Sequence, residues 1–108
     1  TRMGVLPYGY ADGFLRSLSN KAVVMTAEGP AQQCGRICMD MCMIDLTDKM
    51  SVGVGSEVEI FGKQNPVEKM AAAAGTIPYE LVCAVSKRVP RIYVQGGQVI
   101  ERELLLRL

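Results

Sequence analysis

The chain has 108 residues, 49% hydrophobic and 21% charged, with 12 basic and 11 acidic side chains and a net charge of +1. That is the composition of one globular domain, and the charge balance excludes an electrostatic footprint for nucleic acid or an anionic membrane surface. No apolar run approaches the ~20 residues that span a bilayer, and no signal-peptide pattern is expected.

Residues 3–8 are strand-like and begin almost at once after Thr1, so the sequence is expected to be part of a longer chain. Residues 9–13 carry turn residues at both ends and predict a loop. Residues 22–26 form a short strand, and the turn signal Glu28-Gly29-Pro30 predicts a hairpin returning through Ala31 to Cys34. Residues 37–46 are the longest apolar run, interrupted by Asp40, and suit a central curved strand. Val52-Gly53-Val54-Gly55 breaks the pattern, and residues 57–61 then alternate polar and apolar as a strand with one wet face.

Helix signals follow. Asn65 is a good N-cap, Pro66 suits the first helical position and Glu68 stands at capping-box spacing. Val67, Met70, Ala71 and Ala74 share one helical face, and Gly75 is placed to end it. Thr76-Ile77-Pro78 opens a second short helix running through Leu81 to Val85. Residues 91–94 and 98–100 flank Gly96-Gly97, a strong hairpin turn. The order predicts a mainly β fold, a small β-barrel or sandwich-like domain with two short helices on one side.

Unaided chemistry is thin. The chain has no His, so no Ser-His-Asp or Cys-His set is possible, and no glycine-rich phosphate loop is present. Cys34, Cys38 and Cys42 are spaced by four, and in an extended strand such residues lie roughly 13 Å apart, beyond disulfide reach. With Cys83 they read as reduced, partly buried thiols that behave as small hydrophobes, which favours the cytoplasm. No metal site is expected.

Four segments, in order, resemble alanine racemases: Pro7-Tyr8-Gly9-Tyr10-Ala11-Asp12-Gly13-Phe14, Gly35-Arg36-Ile37-Cys38-Met39-Asp40, Gly75-Thr76-Ile77-Pro78-Tyr79-Glu80 and Arg88-Val89-Pro90-Arg91. The resemblance covers nearly the whole chain. It implies that residues 1–108 are the C-terminal β-domain of an enzyme whose N-terminal (β/α)8 barrel, some 250 residues, holds pyridoxal 5'-phosphate on a lysine. It implies a homodimer in which this domain caps the active site on the partner subunit's barrel, and interconversion of L- and D-alanine for peptidoglycan. The two bases of the family are the barrel lysine and a tyrosine of a Ser-Tyr-Gly segment upstream of Thr1. Tyr10 is not that tyrosine, so no catalytic base is expected here, and the chain alone is expected to be inactive.

The resemblance also assigns roles. The main-chain N–H of Met39 and nearby backbone bind the substrate carboxylate, with Asp40 as an orienting group. Tyr10, Arg16, Arg36, Ile77 and Tyr79 line the substrate corridor, and Tyr79 also binds the cofactor phosphate. Against these stand plainer readings: Met39 as core filler, Asp40 facing water, Arg16 and Arg36 as surface charge, Tyr10 and Tyr79 as half-buried aromatics, Ile77 as core. Tyr8 is bulkier than the aliphatic residue the family suggests, and Pro78 stands where Asn is common. The rival inside the family is a serine/alanine racemase of the membrane-attached kind linked to glycopeptide resistance. The rival outside it is a free-standing β-barrel binding module.

Overall fold

A computed structural model describes residues 1–103. Its strands are β1 (Met3–Leu6), β2 (Val23–Thr26), β3 (Gly29–Cys34), β4 (Cys42–Asp45), β5 (Arg91–Gln95) and β6 (Gln98–Glu103). The helices are α1 (Val67–Ala74) and α2 (Pro78–Ala84), with a 3-10 turn at Arg16–Leu18. The first four strands make one antiparallel sheet in the order β1-β4-β3-β2, and β5 and β6 form a separate hairpin. The fold is thus mainly β with two short helices, as read from the sequence.

Period-2 burial sets the sheet's inner face. Val24 and Thr26 of β2, Ala31 and Gln33 of β3, and Cys42 and Ile44 of β4 are buried, while their neighbours are not. Phe14, Leu18 and Ile37 from the loops, Met70 and Ala71 from α1 and Leu81 from α2 complete the core. Gln33 is fully buried, and its amide is satisfied: Oε1 accepts the Asn20 N–H at 2.7 Å, and Nε2 donates to the carbonyls of Cys34 (3.0 Å) and Gly35 (3.1 Å). In the β5–β6 hairpin Gly96 and Gly97 both have positive φ, 58° and 81°, the conformation a two-residue primed turn requires.

Three expectations are corrected. The run 37–46 is a strand only over Cys42–Asp45. Ahead of it the backbone turns, with the Cys38 N–H donating to the Met41 carbonyl at 2.9 Å, and Met39, Met41 and Met43 are exposed rather than buried. Residues 57–61 are not a strand. Glu59 makes one isolated bridge to Met25, with N–H···O distances of 2.9 and 2.8 Å, and its carboxylate accepts the Gln64 N–H at 2.9 Å. Asn65 does not cap α1; Pro66 takes that position and no side chain caps it. The buried Asn65 amide donates instead to the carbonyls of Val23 (2.8 Å), 42 residues away, and Ile60 (2.7 Å), five residues away, so two bonds replace the one a cap would make. Gly75 does close α1, its N–H reaching the carbonyls of Ala71 and Ala72.

All four cysteines are free. Cys42 is buried and Cys34 partly so, whereas Cys38 and Cys83 are exposed, more than the sequence reading expected. Burial, helped by the nearby Cys38 sulfur, pushes the Cys42 thiol up to about 11.

Candidate functional site

The loop after β1 is built around Asp12. Its carboxylate accepts the Gly9 N–H through Oδ2 at 3.0 Å, and Oδ1 lies 3.5 Å from Nε of Arg88. Its carbonyl accepts the Ser86 N–H at 3.1 Å. Behind it the Tyr8 ring packs on Phe14 with centroids 5.5 Å apart, and burial, then the Asp12 charge, raises the Tyr8 hydroxyl pKa. The bulkier Tyr8 is therefore accommodated inward.

This loop grips the segment 38–39. The Tyr10 N–H donates to the Cys38 carbonyl at 2.9 Å and the Ala11 N–H to the Met39 carbonyl at 2.8 Å. The approach depends on Gly9: a Cβ there would lie 2.3 Å from the Cys38 oxygen and 2.6 Å from the Met39 oxygen. The Met39 carbonyl is thus engaged while its N–H meets no acceptor among the described residues. The Met39 side chain is exposed, which removes the core-filler reading. Asp40 is also exposed and without an ion pair among the described residues, as its water-facing reading has it.

Arg16 and Arg36 come together, lining one recess of about 410 Å³ with Ser17, Ser19 and Asn20. Ile77 and Tyr79 stand at the start of α2, anchored by the buried Leu81, and are 61% and 79% exposed, so the core reading of Ile77 is corrected. Pro78 serves as the first helical residue, where its missing N–H costs nothing. The hydroxyls of Tyr10 and Tyr79 have no hydrogen-bond partner among the described residues, and neither tyrosine lines the recess of Arg16 and Arg36.

Two residues of the Arg88-Val89-Pro90-Arg91 segment have site-building roles the sequence reading did not assign. Arg88 faces Asp12, and the Arg91 guanidinium donates to the carbonyls of Ser86 (2.7 Å) and Val85 (3.3 Å), gathering the open carbonyls after α2. The available signal was the opposite charge of Asp12 and Arg88 within two of the four motifs. Among the described residues there is no group of three or more residues suited to hold a metal and no helix long and apolar enough to cross a membrane.

The comparisons with known proteins agree on one group. The family model described as "Alanine racemase, C-terminal domain" matches residues 1–93. Alanine racemase 1 of Clostridium acetobutylicum is 50% identical over 103 residues, which cover 92% of this chain and 27% of that protein. The structure of the Clostridium difficile 630 alanine racemase in complex with cycloserine superimposes with a TM-score of 0.89 at 34% identity, over 97% of this chain and 29% of that one. That of Bartonella henselae alanine racemase with covalently bound pyridoxal phosphate does so with a TM-score of 0.79 at 35% identity, over 85% and 27%. The chain therefore spans little more than a quarter of the length of these relatives. On both sequence and fold, the chain belongs to the alanine racemase C-terminal domain family.

Proposed function

We propose that residues 1–108 form the C-terminal domain of a pyridoxal-phosphate-dependent racemase that interconverts L- and D-alanine, the D-isomer serving peptidoglycan synthesis. In this reading the full protein carries a (β/α)8 barrel that holds the cofactor and works as a cytoplasmic homodimer. This domain caps the active site on the partner subunit's barrel and holds neither catalytic base. The observation that carries the proposal is the Met39 N–H, which meets no acceptor among the described residues, on a loop fixed by Tyr10 and Ala11. A preset donor of that kind, in a site closed from water, orients a substrate carboxylate.

The other roles are those the family resemblance assigns. Asp40 sits beside Met39 on the same turn and shapes it. Tyr10, Arg16, Arg36, Ile77 and Tyr79 are all exposed, which suits residues that line a corridor; in this reading the two guanidiniums draw a small carboxylate inward. The Tyr79 hydroxyl, without a hydrogen-bond partner among the described residues on the first turn of α2, fits a phosphate oxygen of pyridoxal phosphate. That cofactor, when bound, supplies the electron sink for loss of the alanine Cα proton.

Gly9→Ala in the full-length protein tests the reading. It displaces the 38–39 carbonyls and should raise the KM for alanine several-fold while pyridoxal phosphate remains bound. An unchanged KM in a folded variant would overturn the Met39 assignment, and a full-length protein without alanine racemisation would overturn the activity itself.

A further inference from the structure

The turn at residues 9–13 has two sides, and Asp12 joins them. On its own strand, Oδ2 of Asp12 accepts the Gly9 N–H while the Asp12 N–H donates to the Gly9 carbonyl at 2.9 Å, which closes the turn from within. The Phe14 N–H reaches the same carbonyl at 3.1 Å, and the Phe14 ring is buried in the core. On the far side, Oδ1 of Asp12 faces Arg88 and the Asp12 carbonyl accepts the Ser86 N–H, so the turn is tied to the chain after α2. Gly13, at φ 120°, allows the close approach there: a Cβ would lie 2.8 Å from the Ala84 carbonyl oxygen.

The near side of the same turn sets the direction of one N–H. The Met39 N–H lies in the peptide plane of the Cys38 carbonyl. That peptide is trans, so the N–H points opposite to the carbonyl it shares a plane with. The Cys38 carbonyl accepts the Tyr10 N–H, and the Met39 carbonyl accepts the Ala11 N–H. The Met39 N–H is therefore aimed directly away from Tyr10, and any rotation of the turn rotates it too. Arg88, Asp12, Gly9, Tyr10 and the Cys38–Met39 peptide form one continuous mechanical path inside this domain.

We propose that Asp12, braced by Arg88, is a positioning residue for the substrate carboxylate: it sets the direction of the Met39 N–H without touching substrate itself. The assignment rests on the reading of Met39 as the carboxylate donor. A hydrogen bond weakens steeply as its angle closes, so a modest rotation of the 38–39 peptide weakens carboxylate binding. Cofactor retention, assigned to other residues, is not affected. A carboxylate at position 12 does what an amide there does only in part, since both accept the Gly9 N–H but only the carboxylate carries charge for Arg88.

The test uses the full-length protein loaded with pyridoxal phosphate. Asp12→Ala should raise the KM for L-alanine and the inhibition constant of propionate, which is alanine without its amino group, in the same proportion and by about tenfold. The kcat and the cofactor content should change little. Asp12→Asn and Arg88→Ala should each give a smaller rise, and they carry the same test if Asp12→Ala does not fold. Val24→Ala, a core change in β2 that lowers thermal stability by itself, should leave both constants unchanged. A fall in thermal stability with unmoved KM and inhibition constant, or a fall in kcat alone, would make Asp12 merely structural and overturn the proposal. If Gly9→Ala raises KM and the Asp12 and Arg88 variants do not, the Met39 reading stands and only the positioning role falls. If none of them raises KM, both fall.

Discussion

Asp12 and Arg88, far apart in sequence, meet at 3.5 Å and tie the loop after β1 to the segment after α2. The Asp12 side chain is largely buried and Arg88 is about half exposed, so the pair is partly screened. Arg88→Ala leaves the buried carboxylate with one N–H partner, and should cost about 1–2 kcal/mol in urea unfolding. Asp12→Asn combined with Arg88→Ala should cost less than the sum of the single changes. Additivity within error would show that the two do not interact.

Tyr79→Phe removes one hydroxyl from an exposed position on α2. In the full-length protein it should weaken pyridoxal phosphate retention by roughly 1.5–3 kcal/mol, the value of one hydrogen bond to a charged group. Stability of the apoprotein should not change. Dialysis followed by absorbance of the retained cofactor is the measurement, and equal retention would remove Tyr79 from the phosphate site.

The 108-residue chain by itself should fold with a cooperative transition and should not form D-alanine from L-alanine, with or without added pyridoxal phosphate. Proton transfer at Cα needs a base within hydrogen-bond reach, and by the family pattern both bases lie outside this sequence. Cofactor-dependent racemisation by the purified chain would mean that the chemistry resides here after all.

Cys42 predicts an alkaline weakness. Its thiol is held up to about 11 in the folded state against 9.0 as the ordinary value. The folded pKa is raised, so this contribution to stability is complete below pH 9 and is lost as pH rises from there toward 11. Cys42→Ala should flatten the fall in denaturation midpoint across that window. In native thiol labelling, Cys38 and Cys83 should react first and Cys42 only on unfolding.

Much of the fold was legible because local chemistry and tertiary structure agreed. The turn at Gly29, the glycine end of α1 and the Gly96-Gly97 hairpin all sit where backbone preference alone would put them. The misreadings have a common cause. Met39, Met41 and Met43 look like core because hydropathy records preference for burial, not what does the burying; in this chain they are exposed. Asn65 has ideal cap chemistry, yet its amide is taken by the carbonyl of Ile60 just before it and by that of Val23 on β2, which no local pattern announces. The candidate site was legible only through family motifs, since an exposed tyrosine or arginine carries no periodic signal. The recess of Arg16 and Arg36 depends on Ser19 and Asn20, whose partners lie across a loop and two strands.

The sheet ends on β1, which among the described residues pairs with β4 alone. Its outer row of backbone groups is a template on which a further strand can add, and Val5 at 66% exposed would give such a strand an apolar footing. The stretch is only four residues long, and it is bracketed by the charge of Arg2 and by Pro7, which has no N–H to extend a ladder. Strand-to-strand association of the purified chain is thereby held to a short, weak register. It should show as reversible, concentration-dependent dimers rather than as fibrils.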